Sequence, residues 1–226
     1  MDIDTIAYYI CSILSFIPAI VVHEVAHGFA AYKLGDPTAK AAGRLSLNPI
    51  KHIDPFGTVI LPLLLMILHW PIFGYAKPVP YNPTYFKDPR RGDAITGLAG
   101  PLANLCMAVI GAIIMHILHA LFSPMVLFSS AMYYLYAMFL PIFILVNLYL
   151  MFFNLLPIPP LDGSSIIALF IPEKSLAKWY SIQHYAFPIF MICIIVVPYI
   201  IGVNPFSWYL DATAGNLADL MMPGGW

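Results

Sequence analysis

The chain has 226 residues, of which 61% are hydrophobic and only 9% charged, and its mean hydropathy is +0.85. A water-soluble domain of that size is excluded, because too few polar side chains remain to cover it; the composition is that of a polytopic membrane protein. A net charge of −1 offers no basic surface to nucleic acid.

The first apolar stretch runs from about 5 to 34. It is not a cleavable signal peptide, since it opens with Asp2 and Asp4 where such a peptide carries basic residues. Inside it lies His23-Glu24-Val25-Ala26-His27. Histidines four apart share one helix face, about 6 Å from each other, the spacing a tetrahedral zinc ion requires. Glu24 stands beside them as general base for a water. Two imidazoles and a carboxylate in an apolar helix are unfavourable unless compensated, so a functional site is expected there. Gly35-Asp36-Pro37 ends the helix. Residues 39–50 mix small and polar side chains, and the alternation over Gly43-Arg44-Leu45-Ser46-Leu47 predicts a short strand or hairpin at the membrane edge.

Further apolar stretches follow at 56–73, 94–122, 132–156 and 179–203. Crossing about 30 Å of hydrocarbon takes roughly 20 helical residues, which every stretch but 56–73 supplies comfortably. That one is interrupted by Pro62 and flanked by Pro55 and Pro71. The ten Lys and Arg fall in three patches: Lys33 to Lys51, Lys77 to Arg91, and Lys174 with Lys178. The positive-inside rule places all three in the cytoplasm. A full crossing by 56–73 would strand the second patch outside, so a re-entrant dip or embedded hairpin is the less strained solution, and a fifth crossing the alternative. On the re-entrant path the first helix runs inward and both termini lie outside. His23 and His27 then sit about 10–16 Å from the Leu34 end, in its cytoplasmic half. The fold expected is an all-α membrane protein, a polytopic helical bundle of four to five transmembrane helices with a re-entrant or β-hairpin segment after the first. No repeat or inserted soluble domain breaks the chain, so one domain is expected over 1–226, with its core at 5–170 and an additional helix at 179–203.

Two histidines leave a zinc ion short of a ligand. His69, His116 and His119 lie near segment ends, His52 in a loop and His184 in the last segment. Asp162 stands apart, after Pro157, Pro159 and Pro160 have unwound the end of a returning helix, with Gly163 letting the chain turn. From the residues alone it is either a metal ligand or a polar loop residue at the membrane surface. Asn154, in the apolar run before it, either hydrogen-bonds an oxyanion or substrate backbone or satisfies free carbonyls of the broken helix. The small residues of Gly97-Leu98-Ala99-Gly100-Pro101-Leu102-Ala103-Asn104 read as architectural, permitting close helix contact. Cys11, Cys106 and Cys193 sit in separate apolar runs with no ligand spacing.

Together, His-Glu-x-x-His on the first helix, Gly-Pro-x-x-Asn on the next, and Asn-x-x-Pro followed by Leu-Asp-Gly resemble the site-2 proteases, over roughly residues 20–165. Gly43 to Pro49 and Gly74 to Pro80 are similar to the small bacterial and archaeal subgroup. The resemblance implies an intramembrane zinc metalloprotease with one zinc per chain, His23, His27 and Asp162 as its ligands, and Glu24 as base. It implies a membrane-protein substrate with a transmembrane helix, and a re-entrant β-hairpin after the first core helix. Unlike many relatives, this chain carries no PDZ or CBS domain, so a regulator would be a separate protein. The expected location is a bacterial or archaeal plasma membrane, the site facing the cytoplasm. The competing class, a metal or proton transporter, predicts ionisable residues spread along several helices, whereas here they cluster at one depth on two elements. A catalytically inactive scaffold is disfavoured by the presence of every motif residue.

Overall fold

The computed structural model describes residues 2–60, 64, 67 and 77–224. Among the described residues, three helices are long and apolar enough to cross a membrane: α1 (Ile3–Lys33), α2 (Pro89–Leu121) and α3 (Tyr134–Asn154). They realise the stretches expected at 5–34, 94–122 and 132–156. After α3 come a short α4 (Gly163–Ala168) and a long α5 (Glu173–Ile201), which contains most of the expected 179–203 stretch. Of 56–73 only the first turn, within Pro55–Ile60, is described as an element. Its dip or crossing lies outside the described residues, as do His69 and Gly74–Ala76.

The chain divides into two compact units: Met1–Ala19, Pro101–Leu155 and Pro205–Trp226 form the first, Ile20–Gly100 and Leu156–Asn204 the second. The division falls inside α1 and α2, beside Pro18 and Pro101. A proline inside a helix removes one backbone hydrogen bond, so these are the places where each helix is locally weakest.

In the first unit α2 and α3 pack through small residues against large ones. Ala108, Ala112 and Met115 recur on one face of α2, Leu140, Ile144, Leu148 and Met151 on one face of α3, and all are buried together. A Cβ on Gly111 would come within 2.9 Å of the Phe143 ring, so glycine sets how closely the backbones approach. Two fully buried amides satisfy one another there. Asn104 Nδ2 donates to Asn147 Oδ1 at 3.0 Å and to Ala19 O at 3.1 Å, while Asn147 Nδ2 donates to Phe143 O at 2.8 Å. The architectural reading of Asn104 agrees with this.

The second unit holds the C-terminal part of α1, the loops after it and the start of α2. Gly35, with φ +108°, lets the chain leave α1 while the Asp36 N–H bonds back to Ala31 O at 3.0 Å. Asp36 is fully buried: Oδ1 accepts the Thr38 N–H and hydroxyl, and Oδ2 accepts the Asn82 N–H at 2.6 Å. Burial favours the neutral carboxyl, but those three donors outweigh it and hold Asp36 below the ordinary carboxylate value.

Among the described residues there is no strand, which corrects the strand or hairpin expected at 39–50. Thr38–Ala41 form a helical turn and Pro49–His52 a 3₁₀ turn capped by Asn48, with irregular chain between. The reason is that the polar groups there find single partners instead of a ladder. Arg44 donates to Lys77 O, His52 Nε2 donates to Ser46 O at 2.8 Å, and the Lys77 N–H donates to His52 O at 2.9 Å.

Candidate metal centre

All of the centre lies within the second unit. Helix α1 presents His23 and His27 one turn apart, both buried. The prolines at 157, 159 and 160 end the helical path before α4 and bring Asp162 to the start of that helix. The three side chains then converge: His23 Nε2 is 3.0 Å from His27 Nε2 and 3.1 Å from Asp162 Oδ2, and His27 Nε2 is 3.3 Å from the same oxygen. Among the described residues this is the one group of three or more metal-ligating side chains.

The triangle fits a metal ion. Four-coordinate zinc with bonds of about 2.0–2.1 Å has ligand atoms roughly 3.3 Å apart, close to the three edges seen. His27 Nδ1 donates to Thr96 O at 2.6 Å. A carbonyl only accepts, so in the neutral ring the proton sits on Nδ1 and Nε2 turns its lone pair inward. Asp162 Oδ2 is buried and receives no hydrogen bond of good geometry. Electron-rich atoms gathered this way, out of water, call for a cation.

Room for these side chains is made by glycine. A Cβ on Gly100 would fall 2.6 Å from Cε1 of both His23 and His27, and one on Gly97 would be 3.0 Å from Asp162 O and the Ser165 side chain. Gly97 and Gly100, in the third and fourth turns of α2, are therefore architectural in a specific sense: they let two imidazoles and the Asp162 turn lie against the helix backbone.

Glu24 lines a cavity of about 760 Å³ together with His27, Asp162, Val79, Tyr81 and Asp93. Its Oε2 accepts the backbone N–H of Val79 at 2.8 Å. Prolines at 78, 80 and 83 push the residues before them towards extended backbone. The segment so formed is tied down at Lys77 O by Arg44, at Asn82 N by Asp36, and through the Tyr81 hydroxyl, which donates to Asp93 Oδ1 at 2.7 Å.

Of the residues the sequence singles out, His23, His27 and Asp162 converge on one point and Glu24 lies on the adjoining cavity. Asn154 belongs to the other unit, where its Nδ2 donates to Leu150 O at 2.9 Å within α3. What sequence reasoning missed are Thr96 O, the Val79 N–H and the Tyr81–Asp93 pair. Only the last left a signal: a carboxylate just inside the apolar part of α2.

Comparison with known proteins points the same way. A model of the family described as "Peptidase family M50" matches residues 11–197. The Bacillus subtilis protein named "Putative zinc metalloprotease YwhC" is 40% identical over 195 residues, 84% of each chain. The Mycolicibacterium smegmatis protein named "Putative zinc metalloprotease Rip2" is 32% identical over 158 residues, 70% of this chain and 56% of that protein. No solved structure matches this chain.

Proposed function

Because this chain belongs to peptidase family M50, we propose that it is a membrane-embedded zinc endopeptidase that hydrolyses peptide bonds within or near transmembrane segments of other membrane proteins. The observation that carries this reading is the His23–His27–Asp162 triangle, which shares a cavity with the carboxylate of Glu24.

His23, His27 and Asp162 would hold the zinc ion, which would supply Lewis-acid chemistry towards water and the scissile carbonyl. The chain's own groups do the rest. Glu24 commits Oε2 to Val79, so Oε1 is the atom that takes the proton from the attacking water and delivers it to the leaving amine. Thr96 O holds the His27 ring in one tautomer and orientation. The cavity of about 760 Å³ admits water and a locally unwound length of substrate. Pro78 and Pro80 bear no N–H, so their edge of the 77–82 segment offers a substrate strand carbonyl acceptors only. A cut near helix-weakening residues follows from the need to unwind. Asn154 enters the proposal as a substrate-binding amide, since its bond to Leu150 O uses only one of its two N–H groups.

All ten Lys and Arg belong to the second unit, whereas the first carries only the acids Asp2, Asp4, Asp211 and Asp219. The positive-inside rule supports a cytoplasmic placement for the loops of the second unit, and with them the metal centre. The bilayer of a prokaryotic plasma membrane, a transmembrane substrate and a separate regulatory protein complete the reading.

Zinc content of the purified protein, measured beside cleavage of a transmembrane model substrate, is the test. One zinc per chain and chelator-sensitive cleavage are expected, with Asp162→Ala losing both. A folded parent protein without zinc, or an Asp162→Ala variant with full zinc and full cleavage, overturns it.

A further inference from the structure

A second cavity, of about 340 Å³, opens in the second unit between the C-terminal end of α1 and the first turns of α2. Lys33, Lys87 and Arg91 line it, against the single carboxylate of Asp88. Asp88 is already matched by Arg91, Nε to Oδ2 at 3.3 Å, which leaves two ammonium groups in excess. The Phe86 ring forms an apolar wall, pressed so closely on Gly92 that a Cβ there would overlap it. The cations stand where two membrane-length helices end and begin, and each helix continues away from them with an exposed apolar side chain. On α1 that is Phe29, one turn before Lys33, whose ammonium lies 5.3 Å from the ring centre. On α2 it is Ile95, one turn after Arg91 and half-exposed.

A cationic pocket with an apolar skirt selects an occupant that is anionic at one end and hydrocarbon at the other. We infer that this cavity is a binding site for an anionic glycerophospholipid, its phosphate among Lys33, Lys87 and Arg91 and its chains along the Phe29 and Ile95 faces. Basic pockets between helix ends at a membrane surface bind acidic headgroups by this combination of charge and hydrocarbon contact. Inorganic phosphate satisfies the charges but leaves Phe29 and Ile95 against water. The inference does not depend on the peptidase reading.

The test is native mass spectrometry of the delipidated full-length protein in neutral detergent, titrated with phosphatidylglycerol and, separately, phosphatidylcholine. Tighter retention of phosphatidylglycerol is expected. Removing all three charges in Lys33→Gln/Lys87→Gln/Arg91→Gln should cut that preference on the order of a hundredfold, about fivefold for each basic side chain. A control that loses three charges elsewhere, Lys51→Gln/Lys174→Gln/Lys178→Gln, should retain the preference. If the triple variant unfolds, Lys87→Gln alone, at an exposed position, should show the fivefold loss. Equal binding of the two lipids overturns the site. So does an equal loss in the control variant, or displacement of the lipid by millimolar inorganic phosphate alone.

Discussion

Val79 gives its backbone N–H to Glu24 Oε2 at 2.8 Å, so the carboxylate proposed as the base is held by main chain. That bond ties the orientation of Glu24 to the proline-bracketed 77–82 segment and to its clasps at Arg44, Asp93 and Asp36. Val79→Pro removes that donor together with the buried Val79 side chain, so Val79→Ala, which keeps the N–H, is the control that isolates the bond. A hydrogen bond to a charged group is worth about 1.5–3 kcal/mol, so cleavage should fall roughly 10- to 100-fold with zinc retained. Unchanged cleavage by this variant would leave Glu24 oriented by something else.

Glu24→Gln keeps the Val79 bond and the shape of the side chain but cannot take a proton. Activity should drop about 10²–10⁴-fold, while zinc content measured on the same preparation stays at the parent value. Loss of zinc would instead make Glu24 a ligand.

Gly100 has no side chain to ligate a metal, yet Gly100→Ala should act like loss of His23 or His27. Its Cβ would meet Cε1 of both histidines at 2.6 Å, a contact that one of the rings has to yield. Zinc stoichiometry and cleavage should both fall. Gly202→Ala is the contrast: with φ +67° and nothing within 4 Å of the new Cβ, it costs only backbone strain, about 1 kcal/mol, and leaves zinc in place.

Asp36 ties the end of α1 to the 77–82 segment, and its carboxyl is held below the usual value. A depressed folded-state pKa stabilises the fold above the unfolded value of about 3.9, and that stability is lost as pH falls through the folded value. Asp36→Asn removes the titration. The parent should therefore unfold at a higher temperature than the variant at pH 7, and the gap should close below about pH 4. A gap that stays constant down to pH 3 would exclude the ionised carboxylate as its source.

Helices were legible in the chain because their causes are local. Long apolar runs demand internally satisfied backbone in lipid, and the Gly35 and Pro157–Pro160 stops act on neighbouring residues. The pairing of His23 with His27 is equally local, since helix geometry alone puts residues four apart on one face. The strand expected at 39–50 failed for the opposite reason: alternation describes which side chains are polar but not whether a partner strand exists. There the partners were Lys77 and His52, one bond each. Only the tertiary structure brought Asp162 to the histidines, because that requires α2 to present bare backbone at Gly97 and Gly100 to both of its neighbours. The groups that orient the site, Thr96 O and the Val79 N–H, belong to the backbone that every residue carries. No residue type announces them, and folding alone decides which carbonyl faces His27 and which amide faces Glu24.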